Sequence, residues 1–239
     1  MSPLVFPEDI AWAEELVASK MKVAAFLAPQ KGSVAPQGGT RAWGLPDIPV
    51  GATWALPPTG VKHWNRLPWA LNQSPYDGES FYLQLNLAEI PAAVRKPEWP
   101  AVGVVWVLID LSQESGWEAD AYFDPRPAEQ IVWHPRLDER PPEAAQWTLA
   151  NLAPDCTESV LPEICWAAET YDEWAQEHNA RARKSDIQVG GWVWPCQGWF
   201  DERNPDFVCA LERQSFGDSG AIYLHYNLER GFYALVETH

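Results

Sequence analysis

From Glu8 to about Lys20 apolar residues recur at Ile10, Ala13, Val17 and Met21, the spacing that gathers them on one face of a helix. Glu8 and Asp9 stand at its start, where the helix dipole favours negative charge. The period then changes. Val23 to Leu27 is a short apolar run closed by Ala28-Pro29, which predicts a strand, and Gln30 to Gly78 is rich in turn residues. Beyond it, two stretches repeat one order of features. Gly38-Gly39 precedes FYLQLNL (Phe81 to Leu87) and then GVVWVLIDL (Gly103 to Leu111). Gly190-Gly191 precedes FVCALE (Phe207 to Glu212) and then GAIYLHYNL (Gly220 to Leu228). Both closing segments read Gly, apolar, apolar, aromatic, apolar, and both end in Asp or Asn followed by Leu, a strand exit with turn chemistry.

This pattern predicts an α+β fold, mostly antiparallel sheets in two distantly similar halves with few helices, in one compact domain over residues 1–239. The first half is expected over about 23–125 and the second over about 185–239. An acidic connecting segment spans about 111–183. Within it Thr170-x-x-Glu173 has the form of a capping box and predicts a helix through about Arg183. The two glycine pairs are expected to serve turn geometry and close backbone approach.

Composition sharpens this picture. Fifteen Trp supply much of the potential core, and 22 Pro with 15 Gly favour short strands and defined turns over long helices. The net charge of −16 repels phosphate backbones and anionic membranes and favours encounter with basic proteins, so neither nucleic acid nor membrane is expected as a partner. The charge is uneven: Leu111 to Glu173 holds fourteen Asp and Glu against three Arg, a net of −11. The opening MSPLVFPEDI lacks a basic region followed by an apolar stretch, and the run Ala101 to Ile109 is too short to span a bilayer. Cys156, Cys165, Cys196 and Cys209 form no C-x-x-C pair. A reducing, cytoplasmic setting is expected.

Several motifs resemble those of the YwqG-like family of bacterial proteins. They are GGTRAWGLPDIPVGATW, FYLQLNLAEIP, VGGWVWPCQG, FVCALE and FGDSGAIYLHYNL, in order from Gly38 onward. The motif residues are Gly38, Gly39, Pro46, Gln84, Gly190, Gly191, Gly217, Asp218 and Gly220. Two features depart from the pattern: Ala210-Leu211-Glu212 stands where Leu-Leu-Gln is typical, and no Pro follows Trp54 directly. The resemblance implies a compact α+β fold with pseudo-twofold character, and an antitoxin or immunity role.

Candidate chemistry is sparse. Gly217-Asp218-Ser219-Gly220 matches the tetrapeptide around the nucleophile of chymotrypsin-like proteases. That chemistry also needs an oriented His and an oxyanion hole, and no Ala-Ala-His-Cys-like segment precedes it. His63, His134, His178, His225 and His239 are widely separated, with His134 and Asp138 the best local pair, so no metal is expected. Neither phosphate-loop pattern occurs, and no cofactor is expected. The leading expectation is a non-catalytic protein that neutralises a basic bacterial toxin through acidic surface. Glu114, Glu118, Asp120, Asp138, Glu139, Asp172 and Glu173 are its expected contacts. One alternative is a small-ligand or carbohydrate module built on Trp192, Trp194 and Trp199. Another is a hydrolase using Ser219 with Asp218 or His225.

Overall fold

The structure is a computed structural model and describes residues 10–42, 46–52, 79–110, 118–136, 142–154, 161, 168–183, 185, 187–192, 204–213 and 220–238. Among them the chain runs through α1 (Ile10–Lys20), β1 (Lys22–Pro29), β2 (Glu79–Asn86), β3 (Val104–Asp110), β4 (Glu118–Asp124) and β5 (Ala145–Leu152). It continues through α2 (Ala168–Ala182), β6 (Ile187–Gly190), β7 (Phe207–Arg213), β8 (Gly220–Asn227) and β9 (Gly231–Thr238). All pairings are antiparallel. One sheet has the order β2-β3-β4 and the other β5-β1-β6-β7-β8-β9. The fold is α+β and mostly sheet, as the pattern predicts.

Within the halves, the units β2-β3-β4 and β7-β8-β9 match strand by strand, whereas β1, expected in the first half, lies in the second sheet between β5 and β6. In β2-β3, Phe81 stands opposite Leu108, Gln84 opposite Trp106 and Leu85 opposite Val105, with a bulge between Phe81 and Leu83. In β7-β8, Phe207 stands opposite His225, Ala210 opposite Tyr223 and Leu211 opposite Ile222, with a bulge between Phe207 and Cys209. Register and bulge therefore coincide. A bulge shifts the facing of every later side chain, so keeping it in one place keeps the same positions on the same face. β4 and β9 complete the two three-stranded units and pack against each other, with the Phe123 and Phe232 rings 5.0 Å apart. The inner faces meet in one core. Leu83, Leu85, Val105, Val107 and Ile109 share a buried cluster with Cys209, Leu211, Ile222 and Leu224, extended by Ala25, Leu27 and Val189. Each fully buried large aliphatic contributes about 1.5–3 kcal/mol, which makes this seam the main tie between the halves.

Some local expectations change. α2 begins at Ala168, so Thr170 lies within its first turn and is not the capping residue ahead of it. The acidic segment is more than a connector: β4 closes the first unit, and β5 pairs along the whole of β1. The glycine pairs are not equivalent either. Arg41 bridges to Gln84 just as Gln188 pairs with Ala210, so Gly38-Gly39 comes before the equivalent position and Gly190-Gly191 after it. Their use is nonetheless conformational. Gly38 has φ +76°, and a Cβ there would lie 2.6 Å from Trp133; Gly191 has φ +77°, and a Cβ would lie 2.7 Å from that of Ala24. Among the described residues no helix is long and apolar enough to cross a membrane.

Candidate functional site

On the outer face of β2-β3-β4 a buried polar hub is built around Gln84 and Asp47. The backbone of Arg41 exchanges two hydrogen bonds with that of Gln84, at 2.7 and 2.8 Å, which holds the segment after Gly38-Gly39 against β2. The Gln84 carboxamide uses both ends. Its oxygen accepts from Asp47 N at 2.8 Å and Trp106 Nε1 at 3.0 Å, and its nitrogen donates to Gly39 O at 2.7 Å and Asp47 Oδ2 at 3.1 Å. Asp47 Oδ1 meets Arg41 Nη2 at 3.0 Å and Arg136 Nε at 2.8 Å. Its Oδ2 accepts from Gly38 N at 2.8 Å and Arg136 Nη2 at 3.1 Å. Arg136 also donates to the carbonyls of Ala35 and Pro36, both at 2.7 Å.

Arg41 and Asp47 are fully buried at their side chains. Burial pushes the Asp47 carboxyl upward, but the Arg136 hydrogen bonds, the Arg41 charge, the Gly38 amide and Gln84 together outweigh it and hold the group below its ordinary range. Both Asp47 oxygens and both Gln84 termini are occupied. The hub therefore pins a loop and has no poised base to offer. Burial likewise pushes the Cys209 thiol far up, which makes it a poor nucleophile.

The loop that the hub pins forms one wall of a cleft. Beyond Asp47, His134 N donates to Ile48 O and Val50 N to Val132 O, each at 2.8 Å, so residues 48–50 run beside 132–134. The cleft, about 190 Å³, lies between Pro49–Ala52 on one side and Trp106 with Phe123–Asp124 and Arg126 on the other, and the surface it presents is mostly polar. At its mouth Arg126 grips Asp124 with two bonds, Nε to Oδ1 at 3.0 Å and Nη2 to Oδ2 at 2.6 Å. These bonds hold the Asp124 carboxyl below its ordinary range against partial burial. Val50, Val132 and Phe123 are among the exposed large apolar residues.

The residues expected from sequence fall in several places. Asp120 is exposed on β4, in the strand that bears Asp124. Glu118 opens that strand. Glu173 is exposed and Asp172 half-buried on α2, which packs on β5, at the sheet edge opposite β9. The β4 and α2 acids therefore belong to separate surfaces. Glu114, Asp138, Glu139, Gly217, Asp218 and Ser219 lie outside the described residues. Gly220 begins β8, and His225 lies five residues along it, about 17 Å away at the rise of a strand. His225 itself is buried and stacks on Tyr233 with centroids 5.1 Å apart. The Tyr233 hydroxyl donates to Asp206 at 2.9 Å. This geometry lends nothing to a hydrolase that pairs His225 with a nucleophile next to Gly220.

Trp192 is buried; its indole donates to Lys20 O at 2.8 Å, and Lys22 Nζ lies 3.4 Å from its ring centroid. Trp194 and Trp199 lie outside the described residues, so the proposed sugar platform finds no support in Trp192. Among the described residues no group of three or more His, Cys, Asp or Glu is placed to hold a metal ion. Of the motif residues, Gln84 is central to the hub, Gly38 and Gly39 serve it through their backbones, and Pro46 is buried beside it. Sequence reasoning missed Arg41, Asp47, Arg136 and Trp106. The available signal was an Arg and an Asp within the motif around Gly38-Gly39. Compared with known proteins, the chain matches no family model and no curated protein.

Proposed function

We propose that this protein binds a basic protein partner without chemistry, as a cytoplasmic immunity or antitoxin protein that covers a toxin domain. The observation that carries it is the charge: −16 overall, with exposed Asp120 on β4, the strand whose Asp124 lines an open cleft. Opposite charge raises the rate of encounter, and a few well-seated side chains set the lifetime of the complex. The resemblance to YwqG-like proteins supports the same role. The described polar groups add to it, because the hub is saturated and the Cys209 thiol is held protonated.

The test is affinity capture from bacterial extract, with bound proteins identified by mass spectrometry after washes at low and high salt. A basic protein released by salt is expected, because screening shortens the reach of exposed charges to about 8–10 Å near physiological ionic strength. Charge reversal at Asp120 and Glu173 then separates the β4 surface from the α2 surface. Capture unaffected by salt and by both reversals removes the proposal.

A further inference from the structure

We propose that the cleft between Pro49–Ala52 and β4 is a seat for a guanidinium group of the partner, that Asp124 is its acceptor, and that Arg126 fills this seat in the free protein. This assignment rests on the basic-partner proposal and names its contact point.

The geometry points there for three reasons. First, a carboxylate gripped by two parallel N–H···O bonds has the arrangement that recognises arginine, and the Asp124–Arg126 pair already has it. Second, the pair is lopsided. Asp124 is 16% exposed at its side chain and backed by the strand, whereas Arg126 is 52% exposed and only two residues further along the chain. Exposed pairs contribute little to stability, so Arg126 can leave at small cost while Asp124 stays in place. Third, the cleft is polar within and has Val50 exposed at its edge, which suits a charged head on an aliphatic stem. The strand that bears Asp124 is held from its other face, where the Phe123 ring packs between Gly103 and Phe232. The opposite wall is held by the hub. Exposed Asp120, about 14 Å back along the same strand, and exposed Glu129, three residues beyond Arg126, extend the acidic surface.

An exchange of this kind makes a distinctive prediction: removing a cation that the partner must displace strengthens binding. The probe is the peptide acetyl-Val-Arg-Val-amide, followed by amide chemical shifts, with the Val-Gln-Val peptide as the neutral control and decalysine as a probe of the acidic surface in general. The Arg peptide is expected to shift Gly51, Ala52, Asp124 and Arg126, and the Gln peptide to shift none of them. Arg126→Ala is expected to tighten the Arg peptide about fivefold to tenfold, and Asp124→Asn to abolish its effect. Arg181→Ala is the charge-matched control. It removes another exposed Arg, one that pairs with Glu177 on α2, and is expected to leave peptide binding unchanged. The amide spectra themselves report whether each variant is folded. Equal binding by wild type, Arg126→Ala and Asp124→Asn overturns the seat; if decalysine still binds in a salt-sensitive way, the acidic-surface proposal stands without it. Failure of both the Arg peptide and decalysine overturns the two together.

Discussion

The two three-stranded units keep one register and one bulge, yet their inner faces remain far more alike than their outer ones. Leu83, Leu85, Val105 and Val107 correspond to Cys209, Leu211, Ile222 and Leu224, all buried in the shared core. On the outer faces the correspondence is only partial: Phe81 matches Phe207, but the positions around them differ. Gln84 and Trp106 of the first unit stand where the second has Ala210 and Tyr223, Leu108 where it has His225, and Asp120 where it has Tyr233. An inner residue is constrained by its own sheet and by the facing one, so its character persists. An outer residue answers only to the loop that covers it. The first unit uses that freedom to anchor a loop through ionic and amide groups, whereas Phe207, Ala210, Ala221 and Tyr223 form a small apolar cluster in the second.

The sharpest way to break this comparison is Asp47→Ala. It leaves Arg41 buried and Arg136 without its carboxylate, and removing one partner of a buried ion pair costs about 3–5 kcal/mol. Urea unfolding is expected to show that loss, whereas Asp206→Ala in the second unit, where the carboxylate is half-buried and accepts from Asn227 and Tyr233, is expected to cost less. Equal losses would mean that the hub is no more important than an ordinary surface bond.

Gln84→Ala gives the first unit the residue of the second. It strips the hydrogen-bond partner from Trp106 Nε1, Asp47 N and Gly39 O at once, although Trp106 keeps Asp47 O at 3.1 Å. Each buried group left unsatisfied costs about 1–3 kcal/mol, and relaxation of the loop keeps the total near about 3 kcal/mol. The 48–52 wall is expected to loosen, with faster hydrogen exchange at Val50 N, which is bonded to Val132 O.

These two variants mark the boundary of what sequence makes legible. The paired strands, their aromatic and apolar alternation and the likeness of the halves follow from local period, which each strand carries in its own residues. Gln84 stood out because it belongs to FYLQLNLAEIP, one of the motifs that carry the family resemblance. Its partners did not, because Arg41, Asp47 and Arg136 are brought together across up to 95 positions by the covering loop, and no local pattern encodes that. β5 was missed for a related reason. Its burial pattern is irregular, since it is a sheet edge with α2 against it, so clean two-residue alternation is absent.

The comparison also has a pH axis. Asp47 titrates below its ordinary range in the folded protein, so the stability it contributes is complete above the unfolded carboxyl pKa of about 3.9 and is lost as pH falls through the lower folded value. Acid unfolding midpoints are expected to separate wild type from Asp47→Asn, the variant having the flatter dependence below pH 4. A variant as acid-sensitive as the wild type would place the titrating group elsewhere.

The smallest effect belongs to the link between the units. Lys96, beyond β2, donates to Pro205 O at 2.6 Å, just ahead of β7. Burial lowers its pKa, though Glu98 and Asp206 pull the other way, so here the sign reverses. The folded state disfavours the charged amine, and stability rises as pH climbs through the folded value towards the unfolded one. Lys96→Met keeps the stem beside Trp99 and gives up the bond to Pro205. Its cost at neutral pH is expected to be no more than about 1 kcal/mol once solvent screening of this partly exposed group is allowed for. The alkaline gain should shrink with it, read as a smaller rise in the unfolding midpoint between pH 8 and pH 10 than in the wild type, because Lys22, whose pKa burial also lowers, keeps the rest. Because Asp47 acts within one unit and Lys96 between the two, a variant carrying both changes is expected to lose the sum of the separate amounts. A departure from that sum would place the hub and the link in one cooperative network.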